Sequence, residues 1–81
     1  MAISIRLFAS AQQILGRESV SIPIDFPTTI AQIRNSLTQE FPQLNSLMQH
    51  SRFAVDLEYY SEDRKIENAS EIALIPPVSG G

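Results

Sequence analysis

Residues 72–75 read Ile-Ala-Leu-Ile and run directly into Pro76 and Pro77, followed by Val-Ser-Gly-Gly at 78–81. Four consecutive apolar residues indicate a strand that is covered on both faces, which places it in the middle of a sheet. The two prolines end the strand because they lack a backbone donor and hold φ near one value. The stretch therefore predicts a central strand that continues into a stiff and then narrow tail.

The tail offers little chemistry apart from the Ser79 hydroxyl and the carboxylate of Gly81. Gly80 and Gly81 have no Cβ, so they fit a channel too narrow for side chains. Adenylylation by ATP would turn the carboxylate into an electrophile for a sulfur or nitrogen nucleophile. The chain has no Gly-x-x-x-x-Gly-Lys loop, so a separate enzyme would have to handle ATP. A frayed, inert terminus is the simpler interpretation of Gly-Gly alone.

Composition narrows the possible functions. The chain has 81 residues with a net charge of −3 and no Cys. This length predicts one domain, too small to enclose a sizeable catalytic cavity as well as a core. The absence of a basic patch argues against nucleic-acid binding, and no apolar run is long enough for a membrane. We expect a cytoplasmic protein without a signal peptide. If the protein carries sulfur, the absence of Cys leaves only the backbone carboxylate of Gly81 to hold it.

Two segments alternate with a period of two residues, as strands do. Residues 3–9 predict a strand whose otherwise polar face includes Phe8, either as a partner contact or as cover for a second small cluster. Residues 19–24 predict a second strand. Pro23 assigns this strand to a sheet edge because it cannot donate to a neighbouring strand.

Two helical segments follow from capping signals. Residues 10–16 predict a short turn, capped by Ser10 and stopped by Gly16. The main helix is predicted over residues 30–40, where Thr29 and Gln32 fit a capping box. Its apolar stripe consists of Ile30, Ile33, Leu37 and Phe41, with Pro42 as the stop and a second short turn at Leu44, Leu47 and Met48.

Residues 52–58 return to alternation, with Phe53, Val55 and Leu57 opposite Ala54, Asp56 and Glu58. Asp56 and Glu58 would then lie on one strand face. We interpret this face as solvated, since no metal partner or sugar-binding cleft accompanies the carboxylates. His50 is the only His, and the pattern offers neither a nucleophilic triad nor a metal site.

The order of these elements predicts an α+β fold of the β-grasp, ubiquitin-like type. A mixed sheet of about five strands would surround one main helix, with the last strand parallel to the first. We expect residues 1–75 to form the domain and residues 76–81 to form a flexible Gly-Gly tail.

Segments along nearly the whole chain carry a resemblance to a known family. They are Leu7-Phe8-Ala9, Leu15-Gly16, Phe26-Pro27-Thr28-Thr29, Ala54-Val55 before Glu58-Tyr59, and above all residues 72–81. Together they resemble the MoaD/ThiS family of ubiquitin-like sulfur carriers, and within it the small subunits of molybdopterin synthase.

The resemblance implies a specific role. A MoeB-like adenylyltransferase would activate the Gly81 carboxylate with ATP, and sulfur transfer would give a terminal thiocarboxylate. The chain would be a non-catalytic, sulfur-donating subunit that acts on a cyclic pyranopterin precursor in molybdenum cofactor biosynthesis. It would assemble with the large subunit of molybdopterin synthase, which holds the catalytic side chains, in a heterotetramer of two small and two large subunits.

The resemblance also implies residue roles, with no bound cofactor and no metal. Phe8 and Ile75 would contact the partner protein. The tail residues that would thread into the partner's site are Pro76, Pro77, Val78, Ser79 and Gly80.

Three residue pairs depart from the family pattern. The family often has Arg-Glu, Asn-Gly and Asp-Gly where this chain has Gln12-Gln13, Asp56-Leu57 and Asn68-Ala69.

Three other functions remain open: a thiamine-type sulfur carrier, a ubiquitin-like modifier joined through Gly81 to lysines of target proteins, and an inert β-grasp binding module.

Overall fold

A computed structural model describes residues 2–77 of the chain. The elements in chain order are β1 (Ile3–Leu7), α1 (Ala9–Leu15), β2 (Ser19–Ile22), β3 (Thr28–Thr29), α2 (Ile30–Glu40), a 3₁₀ turn (Pro42–Leu44), α3 (Asn45–Met48), β4 (Arg52–Val55), β5 (Glu58–Tyr59), β6 (Lys65–Ile66) and β7 (Ile72–Ile75).

Five strands form one mixed sheet in the order β2-β1-β7-β4-β5. The apolar strand β7 lies at its centre, parallel to β1 and antiparallel to β4. Strand β2 is at one edge, as Pro23 predicted, although the strand ends at Ile22. Strands β3 and β6 form a separate two-stranded antiparallel sheet. The α+β, β-grasp prediction is confirmed.

Alternate residues of the large sheet form a core with α2. Those from the two parallel strands are Ile3, Ile5, Leu7, Ile72 and Leu74, and those from α2 are Ile30, Ile33 and Leu37. We call this covered side of the sheet the inner face. Phe41, the last residue of the predicted stripe, is only partly buried because it is the C-cap of α2.

Both ends of α2 follow the sequence signals. The Thr29 hydroxyl accepts a hydrogen bond from the Gln32 amide at 3.2 Å, and the Gln32 side chain accepts one from the Thr29 amide at 3.2 Å. These reciprocal bonds satisfy two donors that a helix start otherwise leaves free. The 3₁₀ turn begins at Pro42, and the predicted second turn is present in this turn and α3.

Helix α1 differs from its prediction at one end. It begins at Ala9, and its N-cap is Phe8 without a side-chain hydrogen bond, so Ser10 lies inside the helix and is not the cap. Strand β1 ends at Leu7 rather than residue 9, because Ala9, with φ of 50°, already turns the chain away from the sheet. Gly16 ends α1 as predicted, in the left-handed region with φ of 65°.

A tight turn interrupts the strand predicted over residues 52–58. Asp56 and Leu57 have φ of 49° and 72° and join β4 to β5 as a two-residue hairpin loop. The prediction that Leu57 lies beside Phe53 and Val55 was therefore wrong: Leu57 is 91% exposed. Such a turn needs positive φ at both central residues, usually supplied by Asn-Gly, and no Gly here signals it.

The same turn separates the two carboxylates that were predicted to share a strand face. One oxygen of Asp56 accepts hydrogen bonds from the backbone amides of Ser70 and Glu71, each at 2.8 Å. Glu58 instead forms an ion pair with Arg64 at 3.5 Å. Asp56 thus connects the hairpin to the segment that leads into β7.

Candidate functional site

The candidate site lies at the end of β7, where the tail begins. Ile75 is half-buried, Pro76 is buried and Pro77 is exposed. The predicted carrier Gly81 and the threading residues Val78, Ser79 and Gly80 lie outside the described residues. The structure therefore locates the exit of the tail, at the Ile75 end of the central strand.

The side of the sheet opposite the inner face carries a row of residues in register across all five strands. Ser19 pairs with Arg6, Arg6 with Ala73, Ala73 with Ala54, and Ala54 with Tyr59. We call this side the outer face. Ala73, 4% exposed, forms its centre between Arg6 and Ala54, and Tyr59 at the edge is 57% exposed.

A second row of the outer face lies next to the tail exit. Ile75 pairs with Arg52 across β7 and β4. Continuing the parallel register of β1 and β7 by one residue places Phe8 opposite Ile75. The extended conformation of Phe8 preserves the alternation, so it shares this face with Arg6, whose guanidinium carbon is 5.2 Å from its ring centroid. The structure thus brings the two predicted contact residues together.

The two arginines of this face have different electrostatic surroundings. Arg6 donates to Glu71 at 3.0 Å, so its charge is already balanced. The guanidinium carbon of Arg52 lies 5.5 Å from the centroid of the Tyr59 ring. No ion pair of Arg52 is present within residues 2–77.

Sequence reasoning missed three members of the outer face: Arg52, Ala73 and Tyr59. The alternation pattern contained a usable signal, since Arg52 has the same parity as Ala54. Tyr59 was harder to place because the Asp56-Leu57 turn sets its register.

A partly buried arginine connects α2 to the segments that precede β4 and follow β5. Arg34, on α2, donates to the carbonyl oxygens of Met48 and Ser51, the latter at 3.0 Å. It also forms a bidentate pair with Glu62, at 3.0 and 2.6 Å, and lies 5.1 Å from the Phe53 ring centroid. Among residues 2–77 no buried side-chain polar atom lacks a partner, so these groups leave no unpaired donor for a ligand.

Within residues 2–77 no group of three or more His, Asp or Glu side chains is arranged to hold a metal ion. No helix of this part is sufficiently long and apolar to cross a membrane.

Comparison with known proteins assigns the family. The model of the ThiS family matches residues 5–81. The chain belongs to the ThiS family. The match begins within β1, at Ile5, and includes the outer-face residues described above, the tail exit and the tail through Gly81.

The chain is similar to one curated relative and to two solved structures along nearly its whole length. The chain is 43% identical to a molybdopterin synthase sulfur carrier subunit of Dictyostelium discoideum, over 95% of this chain and 93% of the relative. The crystal structure of SAMP1 from Haloferax volcanii superposes with a TM-score of 0.79 at 26% identity, covering both chains completely. A complex of subunits 1 and 2 of the molybdopterin-converting factor from Helicobacter pylori contains a chain with a TM-score of 0.66 at 21% identity, again with complete coverage of both.

Proposed function

We propose that this protein is the sulfur carrier subunit of a molybdopterin synthase, with the carboxylate of Gly81 as the group that carries sulfur. The observation that carries the proposal is the 43% identity, over nearly full length, to a relative with that name. The family match through residue 81 and the absence of Cys both support the backbone carboxylate as the carrier.

The proposed chemistry has two stages. The Gly81 carboxylate attacks the α-phosphorus of ATP, pyrophosphate leaves, and an acyl adenylate forms. A sulfur nucleophile at the oxidation level of sulfide then attacks the acyl carbon and expels AMP, which leaves a thiocarboxylate. ATP is bound by the separate MoeB-like adenylyltransferase, and the carrier needs no cofactor of its own.

Donation restores the carboxylate. The thiocarboxylate sulfur attacks a carbon of the cyclic pyranopterin precursor and displaces an oxygen substituent of that carbon, and water then cleaves the acyl–sulfur bond. The Gly81 carboxylate is regenerated and the sulfur remains on the pterin. Each carrier delivers one sulfur, so a dithiolene requires two deliveries. An assembly of two small and two large subunits is part of this proposal.

The described residues would position the tail for this chemistry. The central strand ends at Ile75, and Phe8 and Ile75 offer apolar contact area beside the exit. A partner that covers the outer face therefore lies close to the end of β7, where the tail begins. Proline stiffness lowers the entropy lost when such a segment enters a narrow site.

Mass spectrometry after loading tests the proposal. The protein is incubated with ATP, a sulfide source and the candidate adenylyltransferase, then cleaved by trypsin. Cleavage after Lys65 releases residues 66–81, which contain no Met, so the gain cannot come from methionine oxidation. We expect this peptide to gain the mass of one sulfur in place of one oxygen.

The matched control carries one extra Ala after Gly81, which leaves the domain unchanged and moves the carboxylate. We expect it to fold normally and to remain unloaded. Failure of the wild-type peptide to gain sulfur, with the enzyme active on another carrier, would overturn the proposal. Conjugates to lysines of other proteins in cell extract that disappear when Gly81 is deleted would instead support a protein modifier.

A further inference from the structure

One charged strand residue of the outer face, Arg52, has no ion pair within the described residues. Ion pairs there join Arg6 to Glu71, Arg34 to Glu62, Arg64 to Glu58 and Lys65 to Glu67. Among residues 2–77, Arg17 and Arg52 have no such pair. Arg52 lies on β4 in register with Ile75, whereas Arg17 precedes β2 at the far side of the sheet.

Tyr59 holds the Arg52 guanidinium in place. Tyr59 pairs with Ala54, two residues along β4 from Arg52, so both side chains occupy the same face. Stacking at 5.5 Å is within the range of a cation–π interaction. No hydrogen bond from the Arg52 side chain is present within residues 2–77, so its N–H donors are available for a carboxylate.

The surroundings determine what a partner must supply. Ile75, Ala54 and Ala73 give the outer face an apolar centre, and Arg52 stands at its margin beside the tail exit. A protein that receives the tail must cover this margin and remove water from the guanidinium. A desolvated charge without a counter-charge is strongly unfavourable, whereas a bidentate carboxylate compensates for it. Arg and Tyr are also enriched among the residues that dominate binding energy at interfaces.

We propose that Arg52, stacked on Tyr59, determines partner specificity on the outer face by binding a carboxylate of the large subunit of molybdopterin synthase. This inference rests on the proposed function, since it takes the large subunit as the occupant. The large subunit is chosen as the partner because Arg52 pairs with Ile75, the last residue of β7. The tail that would enter the large subunit follows β7 directly. The apolar residues supply contact area, and Arg52 selects the surface that carries an opposing Asp or Glu.

The test measures binding of the full-length carrier to the purified large subunit by titration calorimetry at two salt concentrations. We expect Arg52→Gln to weaken binding by about tenfold or more, and to reduce its salt dependence. Arg52→Lys should restore part of the affinity, since it keeps the charge and loses the bidentate geometry. Tyr59→Phe should bind within about twofold of wild type because the ring is retained.

Arg17→Gln is the matched control, because it removes the other unpaired arginine about three strand spacings, or roughly 14 Å, from β4. We expect its affinity to stay within about twofold of wild type. Equal affinities of wild type and Arg52→Gln would overturn the inference. If wild type itself fails to bind, the proposed function fails first, so the two failures are distinguishable.

Charge reversal identifies the opposing group. Arg52→Glu should bind more weakly than Arg52→Gln, and replacing one acidic residue of the large subunit by Arg should restore its binding. If no acidic position of the large subunit rescues Arg52→Glu, the inference is wrong. It is also wrong if Arg52→Gln impairs only loading by the adenylyltransferase, since the carboxylate would then belong to that enzyme.

Discussion

The inner and outer faces of the five-stranded sheet come from alternate residues of the same strands, yet they are completed in different ways. Leu74 and its neighbours on the inner face are enclosed by α2. Ile75, the next residue, lies on the outer face beside Arg52 and remains half-buried. Two consecutive residues of one strand therefore have different roles, because Leu74 maintains the fold and Ile75 is available to another protein.

The arginines show the same difference. Arg34 has its donors occupied by two carbonyl oxygens and the Glu62 carboxylate. Arg52 is exposed and stacked on Tyr59. The same side chain serves stability where the chain supplies its acceptors, and we infer that it serves recognition where a second protein supplies them.

The largest expected difference between the faces is that between Leu74→Ala and Ile75→Ala. Leu74 is fully buried, so its truncation should lower the free energy of unfolding by about 2–5 kcal/mol. Ile75→Ala should cost less, about 1.5 kcal/mol, because Ile75 is only half-buried and part of its surface is already hydrated. Urea denaturation of both variants measures this, and equal losses would contradict the assignment of the two faces.

Substituting Met for Arg34 and for Arg52 removes the guanidinium group and retains much of the side-chain length, so the two variants compare what each guanidinium contributes to stability. Arg34→Met should cost about 2–3 kcal/mol, since the Met48 and Ser51 carbonyls and Glu62 lose charged donors. Arg52→Met should change the free energy of unfolding by no more than about 0.5 kcal/mol. A large loss in Arg52→Met would show that this residue supports the fold.

The helix that covers the inner face depends on its capping box. Thr29→Ala removes the acceptor of the Gln32 amide and should cost about 1 kcal/mol. Thr38→Ala is the internal control, because the Thr38 hydroxyl donates to the Arg34 carbonyl within the same helix. Such back-bonding adds little stability, so this variant should lie near wild type in thermal unfolding. Equal melting temperatures for the two variants would show that the cap is unimportant.

The smallest effect is expected outside both faces, at Leu57. The backbone of Leu57, with φ of 72°, is strained. Its side chain is 91% exposed, so burial of apolar surface does not offset this strain. Leu57→Gly should raise the free energy of unfolding by about 0.5–1 kcal/mol, after allowing for the greater freedom of Gly in the unfolded chain. Leu57→Ala, which keeps the Cβ, should give no comparable gain in urea denaturation.

The sequence signals that succeeded are local or periodic. The apolar run at 72–75 located the central strand, Pro23 located an edge, and Thr29 with Gln32 located the start of α2. Each depends on neighbours within a few residues, which a single sequence displays directly. The position of Phe8 opposite Ile75, one residue beyond the paired part of β1, needed one further step, the parallel arrangement of the first and last strands.

The signals that failed depend on distant partners or on unusual backbone. The groups that accept hydrogen bonds from Arg34 lie 14 to 28 residues further along the sequence. The backbone amides that donate to Asp56 lie 14 and 15 residues further along. Nothing in the local pattern marks such pairs. The positive φ of Leu57 is carried by a residue that normally avoids it, so the hairpin was predicted as continuous strand. Val78, Ser79, Gly80 and Gly81 remain predictions.

The position of β7 has a consequence for how the protein is made. Its neighbours in the sheet, β1 and β4, are synthesised earlier, but they have no pairing with each other until β7 is inserted between them. Joining segments far apart in sequence is slow, because loop closure precedes the contacts that reward it. A chain that has reached only residue 71 therefore contains both strands of the β1–β2, β4–β5 and β3–β6 pairs, but lacks the strand that joins the first two pairs into one sheet. The five-stranded sheet is therefore completed only by the last strand of the described chain, which immediately precedes Pro76 and Pro77.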